Sequence, residues 1–465
     1  MSIIAAYSVP HPPIIIPEIG RGEERKISQT ADAYHTIARE IAAEKPATII
    51  LTTPHLTLYQ DYFHIAPGKS GKGSLAGFGA PEVAMEVAYD TELIHELSAI
   101  LQAADFPGGT EGERDRSLDH ASFVPLYFIR QEIKDFRIIR IGLSGLDLPL
   151  HYQLGMHIQH AVEKLDRRCV FIASGDLSHR LKADGPYGFH PNGPLYDQRI
   201  MEILAGGTFK EILTMDPEIV EGAGECGHRS FAIMAGSLDR VSVRTRQFSY
   251  EGPFGVGYGV VGIYPEKRDE GRNFLHQYRS ELIKASQLRR QAASPLVSLA
   301  LAVISAKLNH QPFNLKQYEA DHNLPAEFLN RQAGVFVSLK KAGQLRGCIG
   351  TIAPTTASIA EEVRRNALEA ALADPRFLPV TPEEFPELVC SVDVLAPPEA
   401  IAGMEELDPV NYGVIVTKGR RRGLLLPNLA GVDTVEEQVR IAKSKAGIGP
   451  DEDCSLERFQ VVRYE

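Results

Sequence analysis

The first half of the chain alternates short β-branched runs with amphipathic stretches. Residues Ile3–Val9 read as a strand, and Ser28–Glu44 repeats Ile37, Ile41 and several alanines at helical spacing. A compact apolar run at 47–53 ends at Pro54 and predicts a second strand. Helical periodicity returns over Thr91–Ala103 and 151–165, with strands predicted at 135–143 and Cys169–Ser174. Strands separated in this way by helices predict an α/β domain, a central sheet flanked by helices. The stretch 254–264 (FGVGYGVVGIY) predicts its last strand, so this domain is expected over 1–265. A charged segment at 266–291 predicts a helical linker. Beyond it, strands predicted at 334–339, Leu388–Leu395, 414–417 and 423–426 mix with helices at 296–308, 359–373 and 435–446. That mixture predicts a smaller α+β domain over 292–465.

Composition adds bounds to this picture. A length of 465 residues fits two or three domains, and 44% hydrophobic with 23% charged residues is ordinary globular content. A formal charge of −11 argues against a dedicated nucleic-acid binder. The basic cluster Lys418, Arg420, Arg421 and Arg422 reads as a solvated turn between two strands. Five scattered cysteines without C-x-x-C spacing exclude a disulfide framework and a structural zinc site, and they fit a reducing cytosol. No stretch reaches the ~18 continuous apolar residues of a membrane span, so a cytoplasmic protein with no membrane partner is expected.

Fifteen histidines give the candidate chemistry. His11 follows the first strand in VPHPP, His55 the second in TTPH, and His179 the strand Cys169–Ser174 in SGDLSH. His120, in SLDHASFVPL, is read in the same way. In α/β folds the active-site crevice opens at these carboxyl ends of strands. A single histidine there is usually a hydrogen-bonded turn residue, but four in one domain suit a divalent metal. Two imidazoles and one carboxylate would leave open positions on the ion. Glu225 in GAGECGHRS is the first candidate for the carboxylate, with the adjacent Cys226 as the alternative ligand.

These ordered motifs resemble the LigB-type class III extradiol dioxygenases, and the same architecture includes the Memo proteins. The resemblance covers residues 1–265 and implies that His11, His55 and Glu225 bind Fe(II). It further implies His179 as acid/base and His120 as a supporting or substrate-binding group. The implied reaction is oxidative cleavage of a small catechol-like aromatic substrate by dioxygen, in a protein assembled from more than one copy. Memo-like relatives carry a cysteine in this region. A metal facing Cys226 instead would be zinc or copper, because thiolate is the softer ligand. The remaining reading is a metal-binding scaffold without activity.

In the C-terminal half, QLRGCIGTIAP sets Cys348 between glycines, with Arg346 offering a positive charge to a thiolate. These two residues form a candidate second site, and a plain buried cysteine at a tight bend is the alternative. With NALEAALADPRFLPVTPEEF downstream, the segment resembles the AMMECR-type domain. The fusion implies a radical SAM protein as partner. That chemistry would reside on another polypeptide, because this chain has no CxxxCxxC cluster.

Overall fold

The computed structural model describes residues 2–114, 117–429 and 431–465. It divides into two compact units, Met1–Tyr278 and Arg279–Glu465. The division falls inside a helix, Phe274–Gln291.

The N-terminal unit is built on a six-stranded sheet. In spatial order its strands are Arg137–Gly142, Thr48–Thr53, Cys169–Ser174, Ile3–Val9, Tyr258–Arg268 and Val241–Glu251. The first four run parallel, and the last two form an antiparallel hairpin against Ile3–Val9. Thr48–Thr53 and Cys169–Ser174 are buried at every position, as parallel strands covered on both faces must be. Helix Ser28–Glu44 buries Ala33, Tyr34, Ile37, Ala38 and Ile41. It packs against helix His120–Glu132, and helix Leu148–Lys164 packs against helix His228–Gly236. The expected α/β architecture is therefore present, with all four parallel strands opening their carboxyl ends on one edge.

Three features depart from the sequence reading. The last strand runs Tyr258–Arg268, because Gly255, at φ 82°, turns the chain just before it. Its partner Val241–Glu251 was not expected, since this edge strand is half exposed and carries Arg244 and Arg246 amid its apolar positions. His120 does not follow a strand: it is the first residue of helix His120–Glu132, capped by Asp119.

The C-terminal unit holds two four-stranded antiparallel sheets. The first orders Gln344–Gly350, Val335–Lys341, Leu388–Leu395 and Val461–Tyr464. One face of it packs on helices Pro295–Leu308 and Ile359–Leu372 through Val335, Val337, Leu339, Val392 and Val394. The second orders Glu399–Ile401, Ser455–Phe459, Gly413–Lys418 and Arg421–Leu425. Here the basic cluster forms the turn between two paired strands, with Lys418 and Arg421 bound to Glu452 and Arg422 to Glu457. Among the described residues no helix is long and apolar enough to cross a membrane.

Candidate metal centre

His11, His55 and His179 converge at the carboxyl edge of the parallel strands, as their positions in the sequence predict. His55 Nε2 lies 3.2 Å from His11 Nε2. The ring of His120 packs 4.2 Å from that of His55 and 5.3 Å from that of His11, between ring centres. A cavity of about 700 Å³ opens over them, with His11, His55, His120, Asp176 and His179 in its wall.

The hydrogen bonds behind His11 set its tautomer. Ser174 Oγ donates its only proton to the carbonyl of Ala121 at 2.7 Å. It can therefore only accept from His11 Nδ1, 3.0 Å away, which leaves the Nε2 lone pair facing the cavity. Burial, with His55 and His120 adding to it, holds His11 neutral far below the usual imidazole range. Its backbone N–H donates to Asp176 Oδ1 at 2.7 Å. A buried imidazole and an exposed one, with their Nε2 atoms this close, fit a cation.

The side chain beside the two histidines differs from the first expectation. Cys226, and not Glu225, joins the histidines: its Sγ lies 3.7 Å from His11 Nε2, and His11, His55 and Cys226 form one ligand group. Asp176, His179 and Cys226 form a second group that shares the thiol. Glu225 is used elsewhere. Its Oε2 accepts the N–H of His228 at 2.5 Å, capping helix His228–Gly236, and burial pushes its carboxyl up to about 7. The register depends on a close contact between loops. A Cβ on Gly175 would stand 2.1 Å from Gly227 Cα, so only glycine lets SGDLSH approach the Cys226 loop. At that approach the Asp176 N–H donates to Cys226 Sγ at 3.2 Å. Burial, reinforced by the Asp176 and Glu225 carboxylates, holds the Cys226 thiol well above its ordinary range. A bound cation would reverse that balance and release the thiolate as a ligand.

Around this centre lie residues that the sequence reading did not assign to it. Asp176, between Ser174 and His179, is one of them. Asp119 accepts from Ser122 N–H and from Thr53 Oγ, and Thr53 Oγ in turn accepts the His55 N–H. One carboxylate thus holds both the helix that presents His120 and the turn that presents His55. Tyr187 stacks on His179 at 5.1 Å, and Phe78, at the tip of the hairpin Ser70–Leu75/Ala80–Ala88, meets His120 edge-on at 5.4 Å. The turn 76–78 therefore reaches the site.

Asp197 supports the same loop, accepting from Ser178 N–H at 2.7 Å and from the Tyr250 hydroxyl at 2.8 Å. Burial raises its carboxyl to about 7. A carboxyl raised on folding stabilises below its unfolded pKa and loses that contribution as pH rises through the folded value. The wild type should thus lose stability between pH 5 and 8 relative to Asp197→Asn. Parallel denaturant titrations at both pH values check this, and equal pH slopes would contradict it.

In the C-terminal unit, Arg346 and Cys348 do not form the expected pair. Arg346 is held by Glu384 through two hydrogen bonds of 2.7 and 2.9 Å. Cys348 Sγ instead accepts from Ser338 Oγ at 3.2 Å, and its N–H donates to Asp374 Oδ2 at 2.9 Å.

Comparison with known proteins agrees with this division. Residues 5–261 match the family model described as the catalytic LigB subunit of aromatic ring-opening dioxygenase, and residues 297–465 match AMMECR1. A protein of Clostridium acetobutylicum is 43% identical over 478 aligned residues, covering 100% of both chains. One from Thermotoga maritima is 52% identical over 37% of this chain and 97% of its own. Two uncharacterized proteins of solved structure are also similar. PH0010 from Pyrococcus horikoshii is 33% identical over 36% of this chain and 88% of its own, with a TM-score of 0.33. JW3007 from Escherichia coli is 12% identical over 56% and 99%, with a TM-score of 0.37. The chain belongs to the LigB family, whose dioxygenase-like fold forms its N-terminal unit, and it carries an AMMECR1 domain at its C-terminal end.

Proposed function

We propose that the N-terminal unit is a metal-dependent enzyme of the Memo-like kind, its ion held by His11, His55 and Cys226. The observation that carries this reading is the place of Cys226 Sγ beside His11 Nε2, with Glu225 committed to a helix cap. A thiolate in the set favours zinc or copper over ferrous ion. When bound, the ion would supply Lewis-acid or redox chemistry to a group held against it. His179 faces the same cavity and is kept neutral by burial, so it is set to accept a proton from an acidic hydroxyl of the substrate. Pro12, Pro13, Pro186, Phe254 and Tyr258 give the cavity apolar walls that suit a small aromatic molecule. Fusion to an AMMECR1 domain supports action beside a radical SAM protein.

Asp176 supports a second reading. With His179, and with His11 whose Nε2 lies 3.9 Å from Asp176 Oδ2, it could complete two imidazoles and a carboxylate for Fe(II), which would make the unit an extradiol dioxygenase acting on a catechol with dioxygen. Metal analysis and a catechol screen on protein purified without oxygen separate the two. Zinc or copper at about one per chain, with no catechol turnover, supports the Memo-like reading. Iron with ring cleavage overturns it. On the Memo-like reading His179→Ala should keep the ion while losing roughly 10²–10⁴ of turnover, which assay of the metal-loaded variant checks; loss of the ion in that variant would favour the second reading.

A further inference from the structure

Tyr258 opens the strand Tyr258–Arg268, and its side chain stands in the cavity wall with His11, His55, His120, Asp176 and His179. The backbone beside it is tied to the loop that carries two of these residues. Leu177 N–H donates to the Gly257 carbonyl at 2.9 Å, and Gly257 N–H donates to the Ser178 carbonyl at 2.8 Å. Asp176 and His179 flank that pair of bonds, and their ligand atoms lie within 4.8 Å of each other. On its other side Tyr258 pairs with Glu251 across the hairpin.

The residue is only 4% exposed, yet its hydroxyl makes no hydrogen bond among the described residues. Other tyrosines buried in this unit are matched: Tyr34 donates to the Pro10 carbonyl, Tyr152 to Asp239, and Tyr196 meets His228. A buried phenol without a partner costs stability, so this one is matched to an acceptor that enters the cavity. Burial, with Asp176 and Tyr187 adding to it, holds the phenol protonated far above its ordinary range, which makes it a donor. The charges in the wall narrow the class of acceptor. Asp176 and Asp184 are acidic, and the lysine there, Lys182, is exposed and donates to the Pro253 carbonyl at 2.8 Å. Apart from the ion, a permanently charged carboxylate or phosphate meets no free cation among the described wall residues. A neutral phenol can enter and ionise inside.

We propose that Tyr258 selects phenols for this cavity by donating a hydrogen bond to the oxygen on the substrate's ring. The proposal rests on the reading of the cavity as the substrate site of a metal-dependent enzyme. There the O–H bond of the substrate breaks, its proton passes to His179 and the electron pair stays on the oxygen. Tyr258 keeps its own proton and shares it with that oxygen. The bond becomes charge-assisted as the negative charge develops.

The test follows 4-nitrophenol and nitrobenzene on the full chain purified without oxygen, wild type beside Tyr258→Phe. The probes share a ring and a nitro group, and only the phenol has a ring oxygen for Tyr258. At a mildly acid pH, where the free probe is neutral, the wild type should bind 4-nitrophenol as the phenolate, read by its absorbance. Tyr258→Phe should weaken that binding roughly ten- to hundredfold, the range of one charge-assisted hydrogen bond. Nitrobenzene, followed by calorimetry, should bind both proteins alike, which a merely structural role of Tyr258 would not allow. Because the hydroxyl has no internal partner, Tyr258→Phe should unfold at no lower temperature than the wild type. Equal affinity of the two proteins for 4-nitrophenol, a matching loss for nitrobenzene, or no phenolate on the wild type would overturn the proposal. Metal content of the same samples separates the two claims. Protein without an ion overturns the metal-dependent reading while the phenol comparison still decides Tyr258, and an ion with no effect of Tyr258→Phe overturns this proposal alone.

Discussion

Cys226→Ala is expected to lose the bound ion, while Glu225→Gln keeps it. Cys226 Sγ shares its ligand group with His11 and His55, so its removal takes away one donor of three. The expected loss of affinity is more than about 100-fold, beyond the roughly 10–100-fold that changes behind the ligands usually cost. Ser174→Ala falls in that lesser range, because it frees His11 to turn and to change tautomer. Glu225→Gln preserves an oxygen for the His228 N–H, so the helix cap survives and the ion should stay. Metal content after dialysis against a chelating buffer of fixed strength reads all three variants. Loss of the ion in Glu225→Gln alone would restore the carboxylate as the ligand.

Asp119→Ala should be the most destabilising change near the site. The carboxylate caps helix His120–Glu132, accepts from Thr53 and faces Arg140, whose side chain is fully buried, at 3.5 Å. A lost cap costs about 1 kcal/mol. Arg140 keeps its bond to the Ser117 carbonyl, so losing the charge-assisted contact to Asp119 adds about 1–3 kcal/mol. The expected total is therefore about 2–4 kcal/mol. His55 and His120 would also lose their common support, so metal affinity should fall together with stability. Urea unfolding of the N-terminal unit, read by hydrogen exchange in Thr48–Thr53, measures the loss. A change below about 1 kcal/mol would show that Arg140 does not depend on Asp119.

Much of the N-terminal unit was legible because its parallel strands are buried on both faces and read as unbroken apolar runs. The same rule placed His11, His55 and His179, since residues just past such strands share one edge of the sheet. His120 was found for the wrong reason. Its signal is the Asp119 cap, which accepts the N–H of Ser122 three residues on, a helix start and not a strand end. The choice between Glu225 and Cys226 could not be read from adjacent letters. It is decided by Gly175 against Gly227, a contact between loops some fifty residues apart. Phe78 and Tyr187 reach the site from a hairpin tip and a loop whose apolar content is too slight to mark them. Arg346 was misassigned because Glu384, 38 positions away, carries no sequence signal that the two meet.

X-ray absorption at the edge of the bound metal tests the central claim most directly. The account predicts a sulfur neighbour at about 2.3 Å together with imidazole nitrogens at about 2.0–2.1 Å, the sulfur vanishing in Cys226→Ser. A shell of nitrogen and oxygen alone in the wild type would contradict it and return the ion to a carboxylate.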